Sequence, residues 1–320
     1  MNRNQQILAA LLVVQLILSA IVLWPRAGTA AKSEPLFAGL QSADVVALTV
    51  TDNEAQSIAL RQVSGNWVLP AADDYPAQAE RITPVLDKIV ALTTQRLVTR
   101  TDASLKRLNL TADNFSRRVD LEKADGTKYT LYVGSSPSYG SSHVRIEGRN
   151  EAYIAPDLTS WELGTAATSW VDSSYLSVAQ DDVTQVRLAN AQGSFTFEKD
   201  AQGNWTWKEL PAGQELAQDT VTTLVSRATA VTLLQPLGKQ KLAEYGLDLP
   251  VATVTLLKKD GQVVTVLVGA QNAEDNSYVV HASTSPYYVR VGDYNARPLV
   301  QNGPQDWIKP PATPAPTPTG

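Results

Sequence analysis

The stretch VTLLKKDGQVVTVLVG (254–269) predicts two β-strands joined by a tight turn, because apolar residues alternate on both sides of Asp260-Gly261. An Asp-Gly pair between two alternating runs is a strong hairpin signal. The stretch VDLEKADGTKYTLYVG (119–134) has the same form, with Asp125-Gly126 at its turn. The two stretches align without a gap, which indicates an internal repeat.

Further matches extend the repeat toward the N-terminus. Gly65-Asn66-Trp67 and Gly203-Asn204-Trp205 each follow a pair of alternating runs, the first of which has Val46, Leu48 and Val50 as its inward residues. A helical pattern comes next in each copy, with apolar residues spaced i, i+3, i+4 and i+7. These residues are Ile82, Val85, Leu86 and Ile89 in the first copy and Val221, Leu224, Val225 and Ala228 in the second.

The sequence therefore predicts an α+β fold built from two tandem repeats of a strand-strand-helix-strands unit, with mainly antiparallel sheets. The repeats occupy residues 44–158 and 182–297. The connector between them, residues 159–181, carries Trp161 and Trp170, which we expect to clamp the junction. The Pro/Thr-rich composition of residues 303–320 predicts a disordered tail.

The recurring tryptophans have a structural interpretation. A buried tryptophan removes about 150–250 Å² of surface from water, so Trp67 and Trp205 are predicted to anchor the cores of the two units rather than to bind a ligand. Trp207 has no counterpart, because Leu69 stands at the matching position. Trp207 is therefore predicted to be a surface residue and a possible ligand contact.

Residues 7–24 (ILAALLVVQLILSAIVLW) contain no charged side chain and predict one transmembrane helix within the N-terminal segment, residues 1–30. As a helix they rise about 27 Å, close to the bilayer core of about 30 Å. A cleaved signal peptide is the alternative, with Gly28-Thr29-Ala30 as its cleavage site, but its apolar core usually has about 7–15 residues. Spans of this kind commonly place the following body outside the cytoplasm, in the periplasm or at the cell surface, although the flanking charges do not decide the orientation.

Gln15 and Ser19 are polar residues inside this apolar segment. They lie four positions apart and therefore on one face of a helix. Two interpretations stay open: tolerated polar residues, or a contact face for another membrane helix, where such groups hydrogen-bond across the interface.

Composition excludes several classes of function. A net charge of −5 over 320 residues gives no basic surface, so no nucleic-acid partner is predicted. The chain has no cysteine, which excludes disulfides, zinc-thiolate sites and a thiol nucleophile. Phosphate-binding, dinucleotide-binding, calcium-binding and zinc-protease motifs are absent from the sequence. We therefore predict no catalytic residue, no metal site and no cofactor.

The best candidate for an enzyme is the loop GSSPSYGSSH (134–143), which places hydroxyls near His143. A serine hydrolase needs a base within hydrogen-bond reach of the hydroxyl and a third group that orients the base. The loop supplies no convincing third group, so we interpret it as a solvated hairpin loop, with Tyr139 as a possible ligand contact. The other histidine, His281, aligns with Ile146, three positions from His143, so the two histidines are predicted to point to opposite sheet faces.

The stretch KLAEYGLDLPVATVTLLKKDGQVVTVLVG (241–269), followed by YYVRV (287–291), resembles the domain of unknown function 4340 family. The most specific part is Tyr245-Gly246-Leu247-Asp248, followed by Pro250 and Val268-Gly269. Leu108-Asn109-Leu110 replaces Tyr-Gly-Leu in the first copy, and the resemblance covers about residues 44–297. It implies a bacterial protein that is often encoded beside gliding-type ABC transporter subunits, and it implies no catalytic residues.

From these observations we expect a non-catalytic, membrane-anchored extracytoplasmic accessory or scaffold protein of an ABC-type transport assembly. Its expected partners are the lipid bilayer, through residues 7–24, and ABC transporter membrane subunits. The alternative is an envelope glycan- or peptide-binding module that uses Trp207 or Tyr139 in a groove between the copies. A hydrolase that uses His143 is the third hypothesis.

Overall fold

A computed structural model of the chain describes residues 12–15, 19 and 33–310. Most of the predicted membrane segment, residues 7–24, lies outside the described residues, as do residues 311–320. Residues 12–15 and 19 are helical. No helix in the part of the chain that the structure describes is long and apolar enough to cross a bilayer.

The first eleven strands form a nine-stranded antiparallel sheet, here called the first sheet, and a small ribbon of β6 with β7. In chain order the strands are β1 (Val45–Asp52), β2 (Ser57–Val63), β3 (Asn66–Leu69), β4 (Tyr75–Pro76), β5 (Leu97–Thr99), β6 (Leu110–Thr111), β7 (Asn114–Phe115), β8 (Arg117–Lys123), β9 (Lys128–Val133), β10 (Ser141–Ile146) and β11 (Ala152–Pro156). Across the first sheet their order is β4-β3-β2-β1-β8-β9-β10-β11-β5.

The next nine strands form the second sheet, which is also antiparallel. In chain order they are β12 (Ser174–Ser177), β13 (Val183–Asn190), β14 (Gly193–Lys199), β15 (Trp205–Trp207), β16 (Ala230–Gly238), β17 (Ala252–Lys258), β18 (Val263–Gln271), β19 (Tyr278–Ala282) and β20 (Tyr288–Val291). Their order is β12-β16-β20-β19-β18-β17-β13-β14-β15. Eight strands follow equivalent orders in the two sheets: β3-β2-β1-β8-β9-β10-β11-β5 in the first and β15-β14-β13-β17-β18-β19-β20-β16 in the second. Two strands at the same place in these orders are called corresponding strands.

Four α-helices complete the described body: α1 (Ala79–Val90), α2 (Asp102–Arg107), α3 (Gln218–Thr229) and α4 (Asp293–Gln301). The sheet-rich α+β class is thus confirmed. The predicted apolar stripes of α1 and α3 are buried in the main core, which contains residues of both sheets. Both predicted core tryptophans are also buried, with Trp67 5% and Trp205 6% exposed.

Strand β1 departs from the predicted alternation. Val46 was expected to face the core, but Val45 is fully buried and Val46 only half-buried. The cause is an irregularity between Val45 and Ala47 in the pairing of β1 with β8, since an extra residue shifts the side-chain alternation by one. The pairing of β13 with β17 has the same irregularity between Val183 and Gln185.

The connector and the tail differ from their sequence-based description. Trp170 is buried, and its main-chain carbonyl accepts the N–H of Gln78, which ties it to the first unit, while its role as a clamp between the two units stays a prediction. Trp161 is 75% exposed, so the same prediction is wrong for it. Trp307 is fully buried, which extends the packed body well past residue 303 and leaves residues 311–320 as the part of the predicted tail outside the described residues.

Candidate functional site

A cleft of about 340 Å³ lies between the two sheets. The first sheet contributes β2 and the turn after β3, the second sheet contributes β16, and the connector contributes Thr165 to Ala167. The residues that line the cleft are uncharged and non-aromatic: Gln56, Ser57, Ile58, Ala59, Leu69, Ala71, Ala72, Thr165, Ala166, Ala167, Leu234, Gln235 and Pro236. Small side chains on most of this surface leave the main chain of a bound polypeptide room to approach.

The cleft has free hydrogen-bonding groups. Among the described residues, no hydrogen bond is made by the side-chain carboxamides of Gln56 and Gln235 or by the hydroxyl of Ser57, although the main-chain N–H of Gln56 is engaged by Asp52. A carboxamide both donates and accepts, so it can pair with the N–H and C=O groups of a peptide backbone. Leu234, which is 49% exposed, adds an apolar contact.

The fourth polar residue of the lining, Thr165, already uses its hydroxyl in a hydrogen bond within the protein. Its hydroxyl donates to Oδ2 of Asp52 at 3.0 Å, and Oδ1 of Asp52 accepts the main-chain N–H groups of Glu54 and Gln56, each at 2.9 Å. Burial opposes ionisation of Asp52, but these hydrogen bonds and the charge of Arg117 outweigh it and lower the pKa of the carboxyl below its ordinary value. The Asp52 carboxylate therefore fixes the connector at the edge of the cleft.

Next to the cleft, the turn Asp73-Asp74 joins the first sheet to the second. Oδ2 of Asp73 accepts the main-chain N–H of Lys239 at 2.6 Å, and the main-chain carbonyl of Asp74 accepts the hydroxyl of Tyr287 at 3.0 Å. Arg61 forms an ion pair with Asp74 at 2.9 Å. The bonds of Asp73 with Lys239 and of Asp74 with Tyr287 link the first unit to the second, so they fix the positions of the two cleft walls relative to each other.

An aromatic contact packs beside this turn. The rings of Tyr75 and Tyr287 meet edge to face with their centroids 4.7 Å apart. Burial, with added effects of Tyr175, Asp172 and Tyr287, raises the pKa of Tyr75 to about 12. The junction is thus built around a phenol that stays neutral well above its ordinary pKa of about 10.

This shift predicts how alkaline pH affects the protein. A raised folded-state pKa means that the contribution of Tyr75 to stability is complete below about pH 10 and is lost as the pH rises toward about 12. We expect Tyr75→Phe to leave stability at pH 7 nearly unchanged and to flatten the fall of the unfolding free energy above pH 10. Urea unfolding between pH 7 and pH 12 measures both effects. If the unfolding free energy of Tyr75→Phe fell as steeply above pH 10 as that of the wild type, Tyr75 would not be the source of the alkaline destabilisation.

His143, the residue that the hydrolase hypothesis would use, is buried in β10. Its Nδ1 lies 2.9 Å from the main-chain oxygen of Ser135 and 3.1 Å from the hydroxyl of the same residue. A carbonyl oxygen can only accept a hydrogen bond, so Nδ1 carries the proton and donates it to the carbonyl. In this arrangement Nδ1 cannot take the Ser135 proton, and His143 holds the start of its loop in place.

The two histidines do not point as the sequence alignment predicted. Strand pairing sets Tyr132 opposite Arg145 and Leu267 opposite His281, so His281 matches Arg145 rather than Ile146. Arg145 is two positions from His143, and both histidines therefore lie on the sheet face opposite the main core. The prediction of opposite faces was wrong because a one-residue change in alignment reverses the face of every residue in a strand.

In residues 33–310 and the five described positions before them, no three His, Asp or Glu side chains converge on a point that could hold a metal ion. His281 stacks on Tyr288 with ring centroids 4.6 Å apart, and its partial burial lowers its pKa.

The predicted contact residues lie apart from the cleft. Trp207 is half-buried at the end of β15, where its ring meets Phe195 and Phe197, and it lines a separate pocket of about 410 Å³. Tyr139 is fully exposed at the tip of its loop. Gln15 and Ser19 are helical and exposed, and their expected contact with a membrane partner remains a prediction.

The most specific sequence motif, Tyr245-Gly246-Leu247-Asp248 with Val268-Gly269, places a turn against the outer face of the second sheet. A Cβ at Gly269 would lie 2.0 Å from the main-chain oxygen of Tyr245, so only glycine lets the turn approach this closely. Gly246 has φ +65°, a conformation that favours glycine. In the first sheet Gly134 meets the oxygen of Leu108 in the same way, and Asn109, with φ +58°, takes the left-handed position.

A family model, described as a domain of unknown function (DUF4340), matches residues 67–234 and again residues 209–311. Together these matches span well over half of the chain. The chain belongs to the DUF4340 family. No curated protein and no solved structure matches it.

The DUF4340 matches cover most residues of the cleft and both glycine-supported turns. Sequence reasoning predicted a groove between the copies but placed Trp207 and Tyr139 in it. It missed the cleft residues because neutral glutamine, serine, threonine and alanine side chains form no recognisable motif. The pairing of β16 with β20 is irregular at Leu234, one of the residues that line the cleft.

Proposed function

We propose that this DUF4340 chain is a non-catalytic, membrane-anchored extracytoplasmic accessory or scaffold protein of an ABC-type transport assembly. In this proposal the cleft between the sheets receives an extended segment of a polypeptide partner. The observation that carries it is the combination of unpaired side-chain carboxamides at Gln56 and Gln235 with cleft walls that are held by the Asp73-Asp74 turn. A preformed site of this kind binds without first ordering its own walls.

We infer that the two sheets arose by duplication of one unit. Three similarities support this inference: the order of corresponding strands, the irregularity in the corresponding strands β1 and β13, and the turn over Gly134 or Gly269. Duplication followed by divergence explains why the cleft is formed by different strands of the two units, β2 of one and β16 of the other.

The proposed anchor is the apolar segment 7–24, with the body on the extracytoplasmic side. An anchor of this kind would confine the cleft to the membrane surface, where subunits of a transporter present their own loops. Gln15 and Ser19 would face a neighbouring membrane helix in this arrangement.

The proposal predicts a site-specific cross-link. A photo-reactive amino acid at Leu234, in the cleft, should link the full-length protein in its native membrane to a polytopic partner, and mild detergent should recover the same partner without cross-linking. The matched control is Val263, which is 55% exposed but does not line the cleft, and which should give no such product. Recovery of a solitary protein from both variants would refute the transport assignment.

An envelope peptide- or glycan-binding module is the second candidate, and the free amides of the cleft favour the peptide form. The same cross-linking experiment separates the candidates, since a soluble peptide or glycan adds a small mass instead of a membrane protein. The hydrolase hypothesis receives no support from the hydrogen-bond geometry of His143.

A further inference from the structure

Strand β15 is the outer strand at one end of the second sheet. It pairs with β14 on one side, and no strand in the described part of the chain pairs with its other side. The main-chain N–H of Asp200 donates to the carbonyl of Asn204 at 2.9 Å, so the main-chain groups of Asn204 point toward β14. Because these groups alternate in direction along a strand, those of Trp205 and Trp207 point to the open side. An outer strand of this kind can pair with another chain.

A single side chain covers the open side of β15 at Trp205. Oε1 of Gln218 accepts the main-chain N–H of Trp205 at 3.0 Å, and Nε2 of Gln218 donates to the carbonyl of Trp205 at 2.7 Å. A carboxamide that bonds both groups of one residue makes the two hydrogen bonds that a neighbouring strand would otherwise make. Gln218 is the first residue of α3, so the helix holds the carboxamide beside the strand.

The first sheet covers its corresponding strand, β3, with main chain instead. There β4 pairs with β3, and the N–H of Ala77 donates to the carbonyl of Trp67 at 2.9 Å. In the second unit, the segment before the helix turns to the end of the described chain, where the N–H of Ala217 donates to the carbonyl of Trp307 at 2.8 Å. The Gln218 carboxamide therefore replaces, at β15, the main-chain partner that β3 has in the first sheet.

The sequence of β15 is suited to pairing with a second copy of itself. Antiparallel pairing about Thr206 would place Trp205 opposite Trp207 of the second copy and Asn204 opposite Lys208, so no like charges would meet. In this register the outward main-chain groups of Trp205 and Trp207 would face each other and form hydrogen bonds. The strand is thus self-complementary in side chains and in main-chain groups.

The outer strand of the first sheet, β5, does not share this property. Arg96 and Arg100 flank β5, so antiparallel pairing with a second copy about Val98 would set the arginines of the two copies against each other. Charged side chains of this kind protect an outer strand from pairing. The uncharged strand β15 has the Gln218 carboxamide in their place.

We propose that β15 is a pairing surface for β15 of a second copy and that the Gln218 side chain closes this surface in the single chain. When the carboxamide moves aside, the second sheets of two copies join edge to edge through the main-chain groups of Trp205 and Trp207. The interface is isologous, because each copy contributes the same strand. The inference does not depend on the proposed transport assembly.

The first test removes the carboxamide from the full-length protein. Sedimentation in detergent micelles measures the self-association of the wild type and of Gln218→Ala. We expect the dimer dissociation constant of Gln218→Ala to be about tenfold lower, because the main-chain groups of Trp205 regain a partner only by pairing with the second copy. Gln214→Ala, at an exposed glutamine close by in the chain, is the matched control and should self-associate like the wild type.

Two substitutions of Asn204 separate strand pairing from the association of a loosened protein. In the Gln218→Ala background, Asn204→Lys would face Lys208 of the second copy and should return the dissociation constant toward the wild-type value, whereas Asn204→Glu should lower it further. Both effects should shrink at high salt, because exposed charges are screened. If both substitutions left the association of Gln218→Ala unchanged, the pairing about Thr206 would be wrong.

A disulfide can locate the contact, because the chain has no cysteine. Thr206 lies on the symmetry axis of the proposed pairing, so Thr206→Cys should form a disulfide-linked dimer faster in the Gln218→Ala background than alone. Val263→Cys, at an exposed position on the internal strand β18, is the control and should show no such gain. Sedimentation of Gln218→Ala like the wild type would overturn the proposal. Self-association without a faster link at position 206 would place the contact elsewhere and would overturn it as well.

Discussion

Replacing Trp205 by alanine is expected to lower the free energy of unfolding by about 3–5 kcal/mol. The indole is 6% exposed, so its removal loses the burial of a large apolar ring and leaves a cavity in the main core. The main chain of Trp205 also exchanges two hydrogen bonds with the side chain of Gln218, the first residue of α3. A disturbed β15 would therefore loosen the start of this helix as well.

Trp67→Ala should have an effect of the same size in the first sheet, because Trp67 is 5% exposed in the same continuous core. The matched control is Trp161→Ala, at a position that is 75% exposed, which should change stability by less than about 0.5 kcal/mol. Chemical denaturation followed by circular dichroism gives all three values. If Trp205→Ala or Trp67→Ala were as mild as the control, the indole could not be a core residue, and a ligand-binding role would have to be considered again.

Local periodicity made much of the fold predictable. The Asp-Gly hairpins, the apolar stripes of α1 and α3 and the two core tryptophans follow from residues that are neighbours in sequence, where side-chain spacing directly determines burial. The prediction for Val46 failed because the irregular pairing beside Val45 depends on the partner strand β8. The predicted faces of the histidines failed because turn lengths alone do not determine strand alignment to within one residue.

The cleft could not be located from the sequence for a different reason. Its shape depends on contacts such as Asp73 with Lys239 and Asp74 with Tyr287, which join residues far apart in the chain. No periodic pattern signals such a contact, because each partner is an ordinary turn or strand residue in its own surroundings. Gln56 and Gln235 are common surface residue types, and only their shared position in the lining of the cleft distinguishes them.

The second large effect is expected for Gly269→Ala, which should lower the free energy of unfolding by about 3 kcal/mol. The new methyl group would lie 2.0 Å from the main-chain oxygen of Tyr245, and a backbone atom cannot move aside as the end of a side chain can. The turn must lift from the sheet, which exposes Tyr245 and Leu247, now 6% and 5% exposed. Hydrogen exchange at these two residues should therefore accelerate together with the loss of stability.

Gly292→Ala provides the matched control for this substitution. The φ angle of Gly292 is −66°, which alanine adopts freely, and the nearest atom to a Cβ there, Cδ1 of Leu234, is 3.7 Å away. The free energy of unfolding of Gly292→Ala should therefore stay within about 0.5 kcal/mol of the wild-type value.

Gly134→Ala should repeat the Gly269→Ala effect in the first sheet, where the oxygen of Leu108 would lie 2.1 Å from the methyl group. If Gly269→Ala and Gly134→Ala instead behave like Gly292→Ala, close approach of the turn is not the reason that glycine stands at the end of β9 and within β18. Equal losses in both sheets would mean that one packing requirement, met by Tyr-Gly-Leu in one unit and Leu-Asn-Leu in the other, accounts for the most specific motif of the chain.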